Sequence, residues 1–312
     1  MEQNQADGVQ YADMSKLVLI DGNAIMHRTF HAIPPLTTPD QEPINAVYGF
    51  VSILLNVIQN LKPTHITVCF DEKGKTFRNE LLPAYQSQRP PTHDDLISQF
   101  DKAREFLVVA GIPIYSKSGF EADDAIGTIA DQSKMDEVVI ITGDRDILQL
   151  VNDKKNIKLF MPVGGLSNGK IYGEKETIER MGVMPALIPD LKGLIWDPSD
   201  NYKGVVGIGP VTAIKLLNEF GSVDGIYENI DKVNVKVRDK LISGKKDAQM
   251  SHKLATIIKD VPIKIDFEEM NKWNLGSNEV LKLFQEFGFK TLSQRIISVN
   301  KKIEEEKQGA LF

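Results

Sequence analysis

Five carboxylates cluster at the two ends of one mostly apolar segment of this sequence. They are Glu121, Asp123, Asp124, Asp144 and Asp146. Helix capping accounts for one or two acids at a helix N-terminus, but carboxylates this dense repel one another unless cations neutralise them. Because hard divalent cations take oxygen ligands, the cluster indicates a metal site, with ordinary capping as the simpler alternative.

A parallel sheet would place these acids on one edge. The apolar runs at 16–20, 65–70 and 138–141 are typical of buried strands, and each is closely followed by an acid, namely Asp21, Asp71 and Asp144. Ligands of open parallel sheets bind outside the carboxyl ends of the strands. Strands and helices alternate up to residue 187 and helices dominate from residue 188, so the sequence predicts an α/β fold with a helical C-terminal part.

Composition restricts the class of protein. The 312 residues are 42% hydrophobic and 26% charged, which suits one large or two modest folded domains. The single cysteine, Cys69, lies in an apolar run, so no disulfide framework is expected. The polar start of the chain has no signal-peptide pattern and no run of 18 apolar residues occurs, so we expect a soluble cytoplasmic protein.

A glycine-rich turn precedes a helix in the second half of the chain. Gly204, Gly207, Ile208 and Gly209 lead into an amphipathic stretch that carries Thr212 and Lys215. The backbone N–H groups and positive helix end of such a turn can bind a phosphate. A tight connection between two helices would give the same pattern, and the turn alone does not decide between the two.

Together these motifs resemble the 5′-3′ exonuclease and flap endonuclease family, in particular the 5′-nuclease domain of bacterial DNA polymerase I in a free-standing form. The markers are residues 19–23, 70–78, 121–124, 142–146 and 197–201 with the Gly-Ile-Gly turn. The resemblance covers 16 to about 295. It implies a PIN-like (resolvase-like), mostly parallel sheet at 16–187, with an arch at about 73–91 for a 5′ single strand. A helical helix–hairpin–helix-type (H3TH) region would follow at 188–296, between a disordered tail at 1–15 and a charged tail at 297–312.

The resemblance also implies two clusters of metal ligands. Asp21, Asp71, Glu121, Asp123 and Asp124 match one, and Asp144, Asp146, Asp197 and Asp200 match the other. Two or more Mg²⁺ ions are implied, with Mn²⁺ as a substitute and K⁺ at the glycine-rich turn. The net charge of −6 argues superficially against nucleic acid. Apart from these nine ligands, however, 34 acids remain against 37 Lys and Arg. The net charge therefore does not exclude binding to nucleic acid.

Family matching gives phosphate-binding or substrate-binding roles to residues of the arch and to others outside it. Arg28, Arg78 and Arg89 would bind phosphates and Tyr85 would stack on a base, while Lys73, Lys75 and the glycine-rich turn would bind DNA. A surface ion pair is the alternative for each arginine. Two positions depart from the family pattern: Gln86 replaces a lysine that contributes to catalysis in relatives, and Trp196 replaces a glycine before Asp197.

The implied function is a structure-specific 5′→3′ exonuclease and flap endonuclease that hydrolyses DNA, and RNA primers, in replication and repair. Its substrates would be flapped, branched or nicked duplexes and RNA–DNA junctions of any sequence, bound by a monomer. Gln308, Leu311 and Phe312 resemble a sliding-clamp-binding peptide, with a meaningless tail as the alternative. A PIN-like ribonuclease and a DNA-binding protein with weak catalysis are the competing hypotheses.

Overall fold

The computed structural model describes residues 14–163 and 169–309, except for the side chains of residues 304 and 306–309. The predicted clamp-binding side chains of Gln308, Leu311 and Phe312 lie outside this description, as do residues 1–13 of the predicted tail. Ser15, also assigned to that tail, is held by Asp136, whose carboxylate accepts hydrogen bonds from the Ser15 N–H and hydroxyl at 2.8 Å.

A mostly parallel sheet forms the centre of the protein, as predicted, and it has six strands. Its strands are β1 (Lys16–Asp21), β2 (His65–Cys69), β3 (Ile114–Tyr115), β4 (Glu137–Ile141), β5 (Ile157–Pro162) and β6 (Gly169–Tyr172). The spatial order is β3-β2-β1-β4-β5-β6, and only the β5–β6 pair is antiparallel. The chain order reverses between β1 and β4, which is where open α/β sheets bind ligands.

Helices cover both faces of the sheet. They are α1 (Gly22–Ala32), α2 (Asn45–Leu61), α3 (Phe77–Leu81), α4 (Asp94–Val109), α5 (Ala122–Gln132), α6 (Glu174–Met181), α7 (Ile188–Leu194), α8 (Pro210–Phe220), α9 (Val223–Glu228), α10 (Val235–Ala255), α11 (Asn278–Glu286) and α12 (Lys290–Gly309). Short 3₁₀ turns lie at Asp146–Leu150, Pro185–Leu187, Ile230–Lys232 and Glu269–Asn271. Of the helices formed by the described residues, none has the length and apolar character of a membrane span.

Alternating side chains of β1 supply two separate cores. Leu17 and Leu19 point to a core completed by α5 and by residues of α7–α10, whereas Val18 and Ile20 point to a core formed with α2 and α4. Successive residues of a strand face opposite sides of a sheet, so a strand buried on both faces must be apolar throughout. This explains why β1 and β4 read as continuous apolar runs.

The helical region predicted at 188–296 does not pack as one unit. Helices α7–α10 join the core on the Leu17 side of the sheet, but Phe284 of α11 and Ile296 of α12 join the opposite core. The last two helices therefore complete the nuclease sheet. The predicted arch at about 73–91 contains only one short helix, α3, followed by turns.

Candidate metal centre

The carboxyl edge of the sheet holds the first group of acids. Asp21 ends β1 and caps α1, since its Oδ1 accepts from the Ala24 N–H at 2.9 Å. Its Oδ2 accepts from the Thr142 hydroxyl, just beyond β4, at 2.7 Å. The same hydroxyl accepts from the Asp144 N–H at 3.0 Å. Thr142 thus ties the ends of the two central strands together, which fixes Asp21 and Asp144 beside each other.

Asp71 connects the next strand to helix α5. Its Oδ1 accepts from the Ala122 N–H at 2.7 Å, at the first turn of α5. Glu121 is the N-cap of that helix and Asp123 lies in its first turn. The chain therefore uses helix capping to carry acids to the edge of the sheet, so that capping and metal binding are not exclusive alternatives.

Asp146, Asp197 and Asp200 form the second group. One carboxylate oxygen from each lies within 4.8 Å of the others, a spacing that can hold one cation. Asp197 is fixed by its own loop, where Oδ1 accepts from the Ser199 N–H at 2.8 Å and from the Ser199 hydroxyl at 2.5 Å. Pro198 therefore does not prevent the loop from forming.

A single cleft of about 510 Å³ joins the two groups. Seven of the nine predicted ligands line it: Asp21, Asp71, Glu121, Asp123, Asp144, Asp146 and Asp200. Asp197 adjoins it through the second group. These eight side chains present oxygen ligands only, which fits hard divalent cations such as Mg²⁺ or Mn²⁺.

The electrostatics of the cleft favour cation binding. Burial raises the pKa of Asp21 to about 7, and the negative charges of Asp71 and Asp144 contribute. Burial likewise raises the pKa of Glu121 to about 7, against the opposing effect of Arg78. Burial and then Asp144 raise the pKa of Asp146 to about 7. These pKa shifts mean that the carboxyl groups are partly protonated near neutral pH unless cations replace the protons.

The raised pKa values predict that divalent cations stabilise the protein more at high pH. Between about pH 4 and pH 7 the folded protein binds more protons at these groups than the unfolded chain, so without metal its stability falls as pH rises. A divalent cation binds the deprotonated form and reverses this loss. We expect Mg²⁺ to raise the Tm, relative to a chelator, more at about pH 8 than at about pH 6. An equal increase in Tm at both pH values would contradict the assignment.

Lys192 was not identified from the sequence, although it lies between two of the ligands. Its Nζ is 2.6 Å from Asp146 Oδ1 and 2.5 Å from Asp197 Oδ2. Burial would raise the pKa of Asp197, but hydrogen bonds from Lys192 and Ser199 outweigh it and lower that pKa to about 2. The Lys192 ammonium group therefore lies between the carboxylates of Asp146 and Asp197, where a metal ion of the second group would bind. Its signal in the sequence is a lysine in the short, mostly apolar segment that forms α7, where Asp190 is the other charged residue.

Asp124 does not line the cleft, and its predicted role as a metal ligand is not supported. It is fully buried, and its two oxygens accept from Arg78 Nη1 and Nη2 at 2.7 and 2.8 Å. The backbone N–H groups of Glu121 and Ile258 also donate to it. With both oxygens occupied by these donors, Asp124 anchors the first turn of α5.

The predicted phosphate-binding role of Arg78 is not supported, for the same reason. The side chain is 2% exposed. Besides Asp124, its guanidinium donates to the carbonyl oxygens of Leu254 and Thr256. Its remaining close neighbour is Glu121, 3.4 Å from Nη1. An arginine with its donors engaged in this way is a structural link between α3, α5 and the end of α10.

Tyr85 does not present a stacking surface. Its ring is 5% exposed and packs with Tyr202, Leu254 and Ala255, while its hydroxyl donates to Glu121 Oε2 at 3.3 Å. The turn that follows α3 contacts the loop that carries Asp197 and Asp200. Gln86 N–H donates to the Asp200 carbonyl oxygen at 3.0 Å, which holds this turn down on the cleft.

Arg89 and Arg28 are placed where they can reach a phosphate. The Arg89 side chain is half exposed, lines the cleft, and donates from Nη2 to Asp200 Oδ1 at 2.6 Å. Arg28 lines an adjoining open cavity of about 550 Å³ together with Asp144. Its Nε is the one buried side-chain nitrogen or oxygen without a partner among the described residues. This donor is therefore free to bind a water molecule or a ligand.

The glycine-rich turn opens helix α8, as predicted. Gly209 is the N-cap of that helix, and Gly204 and Gly207 have positive φ angles of 59° and 81°. A side chain at Gly204 would overlap the carbonyl group of Ile195. The predicted DNA contact of Ile208 is not supported, because its side chain is 5% exposed and its N–H donates to Val205.

Four remaining predicted DNA contacts, and two residues that sequence reasoning missed, lie around the site. Lys73, Lys75 and Lys215 are exposed, and Thr212 is partly buried. Of the missed residues, Lys240 of α10 donates from Nζ to the Gly207 carbonyl oxygen at 3.0 Å, at the turn itself. His27 of α1 lines the cleft. Burial, followed by the charges of His31 and Arg89, lowers the pKa of His27.

Comparison with known proteins gives matches along most of the chain. Residues 16–182 match the model of the 5′-3′ exonuclease N-terminal resolvase-like domain, and residues 183–279 match that of the 5′-3′ exonuclease C-terminal SAM fold. A 5′-3′ exonuclease of Bacillus subtilis is 39% identical over 254 residues, which cover 80% of this chain and 85% of that protein. DNA polymerase I of Caldicellulosiruptor bescii is 38% identical over 283 residues, which cover 90% of this chain.

The chain spans about a third of the length of that polymerase (33%) and of the other DNA polymerase I relatives that it matches. Among solved structures, the fold is similar to that of bacteriophage T5 flap endonuclease in a pseudo-enzyme–product complex with DNA and metal ions. The TM-score is 0.64 at 18% identity, and the match covers 92% of this chain and 98% of the phage protein.

Proposed function

The chain belongs to the 5′-3′ exonuclease family and is a nuclease, and we propose that it removes 5′ ends and 5′ flaps from DNA by hydrolysing phosphodiester bonds. The observation that carries this proposal is the cleft in which eight carboxylates meet at the carboxyl edge of the sheet. Such a centre suits displacement at a phosphate with metal ions bound on both sides.

We propose Mg²⁺ as the metal, with Mn²⁺ as a substitute. One ion would be held by Asp21, Asp71, Glu121 and Asp123 and a second by Asp146, Asp197 and Asp200. Asp144, which the family resemblance assigns to the second cluster, is held beside Asp21 by Thr142 and would serve the first ion. Bound there, such ions would supply an acidified water as nucleophile and would stabilise charge on the leaving oxygen. For the second group to bind an ion, Lys192 must move away from Asp146 and Asp197.

The residues around the cleft bind and orient the substrate. Arg28, with its unpaired Nε, and Arg89, at the rim, would bind phosphates next to the scissile bond. The turn at Gly207 and Gly209, with Lys240 beside it, would bind the phosphate backbone of the duplex without reading sequence. We also propose that a K⁺ ion binds at this glycine-rich turn.

Cleavage of a labelled double-flap DNA in Mg²⁺ tests the function. We expect cuts near the junction of the single strand with the duplex, and none in the presence of a chelator. Preferential cleavage of a single-stranded RNA of the same length would favour the PIN-like ribonuclease instead. Tight binding of the flap DNA without cleavage in Mg²⁺ or Mn²⁺ would favour the DNA-binding protein.

Clamp binding through the last residues is a separate proposal. Leu311 and Phe312, with Gln308, would fill an apolar pocket of a bacterial sliding clamp. Deleting residues 308–312 is expected to abolish co-elution with the clamp and to leave cleavage of free flap DNA unchanged. If the truncated protein still co-elutes with the clamp, this peptide is not its docking site.

A further inference from the structure

Trp196 is an exposed indole directly beside the metal centre. It is 62% exposed, whereas the next residue, Asp197, is 5% exposed. The other tryptophan, Trp273, is partly buried and donates from Nε1 to the Thr64 carbonyl oxygen. A single exposed apolar residue is ordinary in a soluble protein, so exposure alone assigns nothing to Trp196. The residues around Trp196 provide the further evidence.

A short antiparallel pairing of two segments directs Trp196 outwards. Asp197 N–H donates to the Tyr202 carbonyl oxygen and Val205 N–H donates to the Leu194 carbonyl oxygen, each at 3.0 Å. In this register Trp196 lies opposite Lys203, which is also exposed. The pair Asp197 and Tyr202 is buried. The bulk of Trp196 therefore does not disturb the metal ligands, and an indole and a lysine share one outer face.

This outer face lies between two parts of the substrate-binding surface. On one side Asp197 and Asp200 belong to the second metal group. On the other side Gly204 begins the turn that opens α8, where the closely packed backbones of Gly204 and Ile195 leave no room for a side chain. The face carrying Trp196 and Lys203 therefore belongs to the stretch of chain that joins the loop of the second metal group to the turn.

We propose that Trp196 and Lys203 form a platform on which a nucleobase of the bound DNA stacks, next to the phosphodiester that is cut. This inference rests on the proposed nuclease function and assigns a binding role to two residues outside the metal centre. Indole stacks on the face of any base, and a lysine beside it can bind the adjoining phosphate. The platform would hold the DNA near the cleft without sequence preference.

Tryptophan fluorescence provides a direct test, because the chain has only two tryptophans. Replacing Trp273→Phe leaves Trp196 as the sole fluorophore, and Trp196→Phe leaves Trp273. Both are made with Asp123→Asn so that the DNA is not cut. We expect flap DNA to quench the Trp196 emission, and an abasic site at the nucleotides that flank the junction to remove most of the quenching. The emission of Trp273 should change little.

Variants of the active protein add a functional readout. Trp196→Ala should weaken flap binding about tenfold, by loss of one base stack, and raise KM more than it lowers kcat. Trp196→Phe should restore most of the affinity. Lys203→Ala should make the slope of the logarithm of the binding constant against the logarithm of the salt concentration shallower by about one, because one fewer counterion is released. Val108→Ala, at a site on α4 that is 70% exposed, is the matched control and should change neither KM nor binding.

The outcomes separate this inference from the proposed function. If the native protein cleaves flap DNA but Trp196 is not quenched and Trp196→Ala binds DNA normally, the platform is wrong and the nuclease function stands. If fluorescence anisotropy detects no DNA binding and the native protein does not cleave, the proposed function fails and the platform with it. Quenching together with weaker binding of Trp196→Ala supports the platform.

Discussion

Replacing Asp123→Asn is expected to reduce flap cleavage by at least about 1,000-fold. Asp123 lies in the first turn of α5, where burial and then the charges of Asp21 and Asp144 raise its pKa. The amide has nearly the same size but carries no charge, so an ion in this group loses one of its anionic ligands. Metal ions contribute several kcal/mol to such transition states, and about 4 kcal/mol corresponds to three powers of ten in rate. Single-turnover cleavage in Mg²⁺ measures the effect.

Folding and DNA binding should survive this substitution. Because Asp123 adds to the repulsion in the cleft, we expect the free energy of unfolding of Asp123→Asn without metal to equal or exceed that of the native protein. Flap binding, followed by anisotropy, should stay within a few-fold of native. Asp224→Asn, in the first turn of α9, is the control and should cleave normally. If Asp123→Asn retains a tenth or more of native activity, Asp123 does not hold the metal.

Replacing Arg78→Met is expected to lower the free energy of unfolding by about 3–5 kcal/mol. Arg78 and Asp124 form a buried, bidentate pair, and removing one partner leaves the other charge buried without compensation. Urea unfolding in a chelator, where the metal centre does not contribute, isolates this effect. The double variant Arg78→Met/Asp124→Leu should recover part of the loss, since no lone charge then remains.

Arg89→Met is the matched control for Arg78→Met. Its ion pair with Asp200 is half exposed, so its loss should cost less than about 1 kcal/mol of stability. It should nevertheless reduce cleavage, because Arg89 is positioned to bind a phosphate. The reverse result, with Arg78→Met stable but inactive and Arg89→Met unfolded, would restore the phosphate-binding role first predicted for Arg78.

The sequence was sufficient to predict the sheet and most of the metal centre because both follow from local patterns. An apolar strand followed by an acid places that acid at the edge of a parallel sheet whatever the rest of the chain does. Asp21 and Asp71 are predictable in this way, and Asp144 follows β4 after a short turn. The family resemblance added Asp197 and Asp200, whose loop carries no such local pattern.

The errors concern contacts between distant parts of the chain. Arg78 and Asp124 are 46 residues apart, and only the packing of α3 against α5 makes them partners. A list of acids cannot show which one is already neutralised. Lys192 was missed for the related reason that its role depends on Asp146, which is far away in the sequence. Trp196 departs from the family pattern directly before Asp197, and the sequence could not show that the pairing with 202–205 turns it outwards.

The position of α11 and α12 has a consequence for the folding of the chain. All the proposed metal ligands precede residue 201, yet Phe284 and Ile296 join α2 and α4 in covering the face of the sheet formed by Val18 and Ile20. A chain that has been translated only as far as residue 201 therefore contains every proposed ligand but lacks part of the core behind the sheet. Completing that core has to wait for two helices that contribute no ligand.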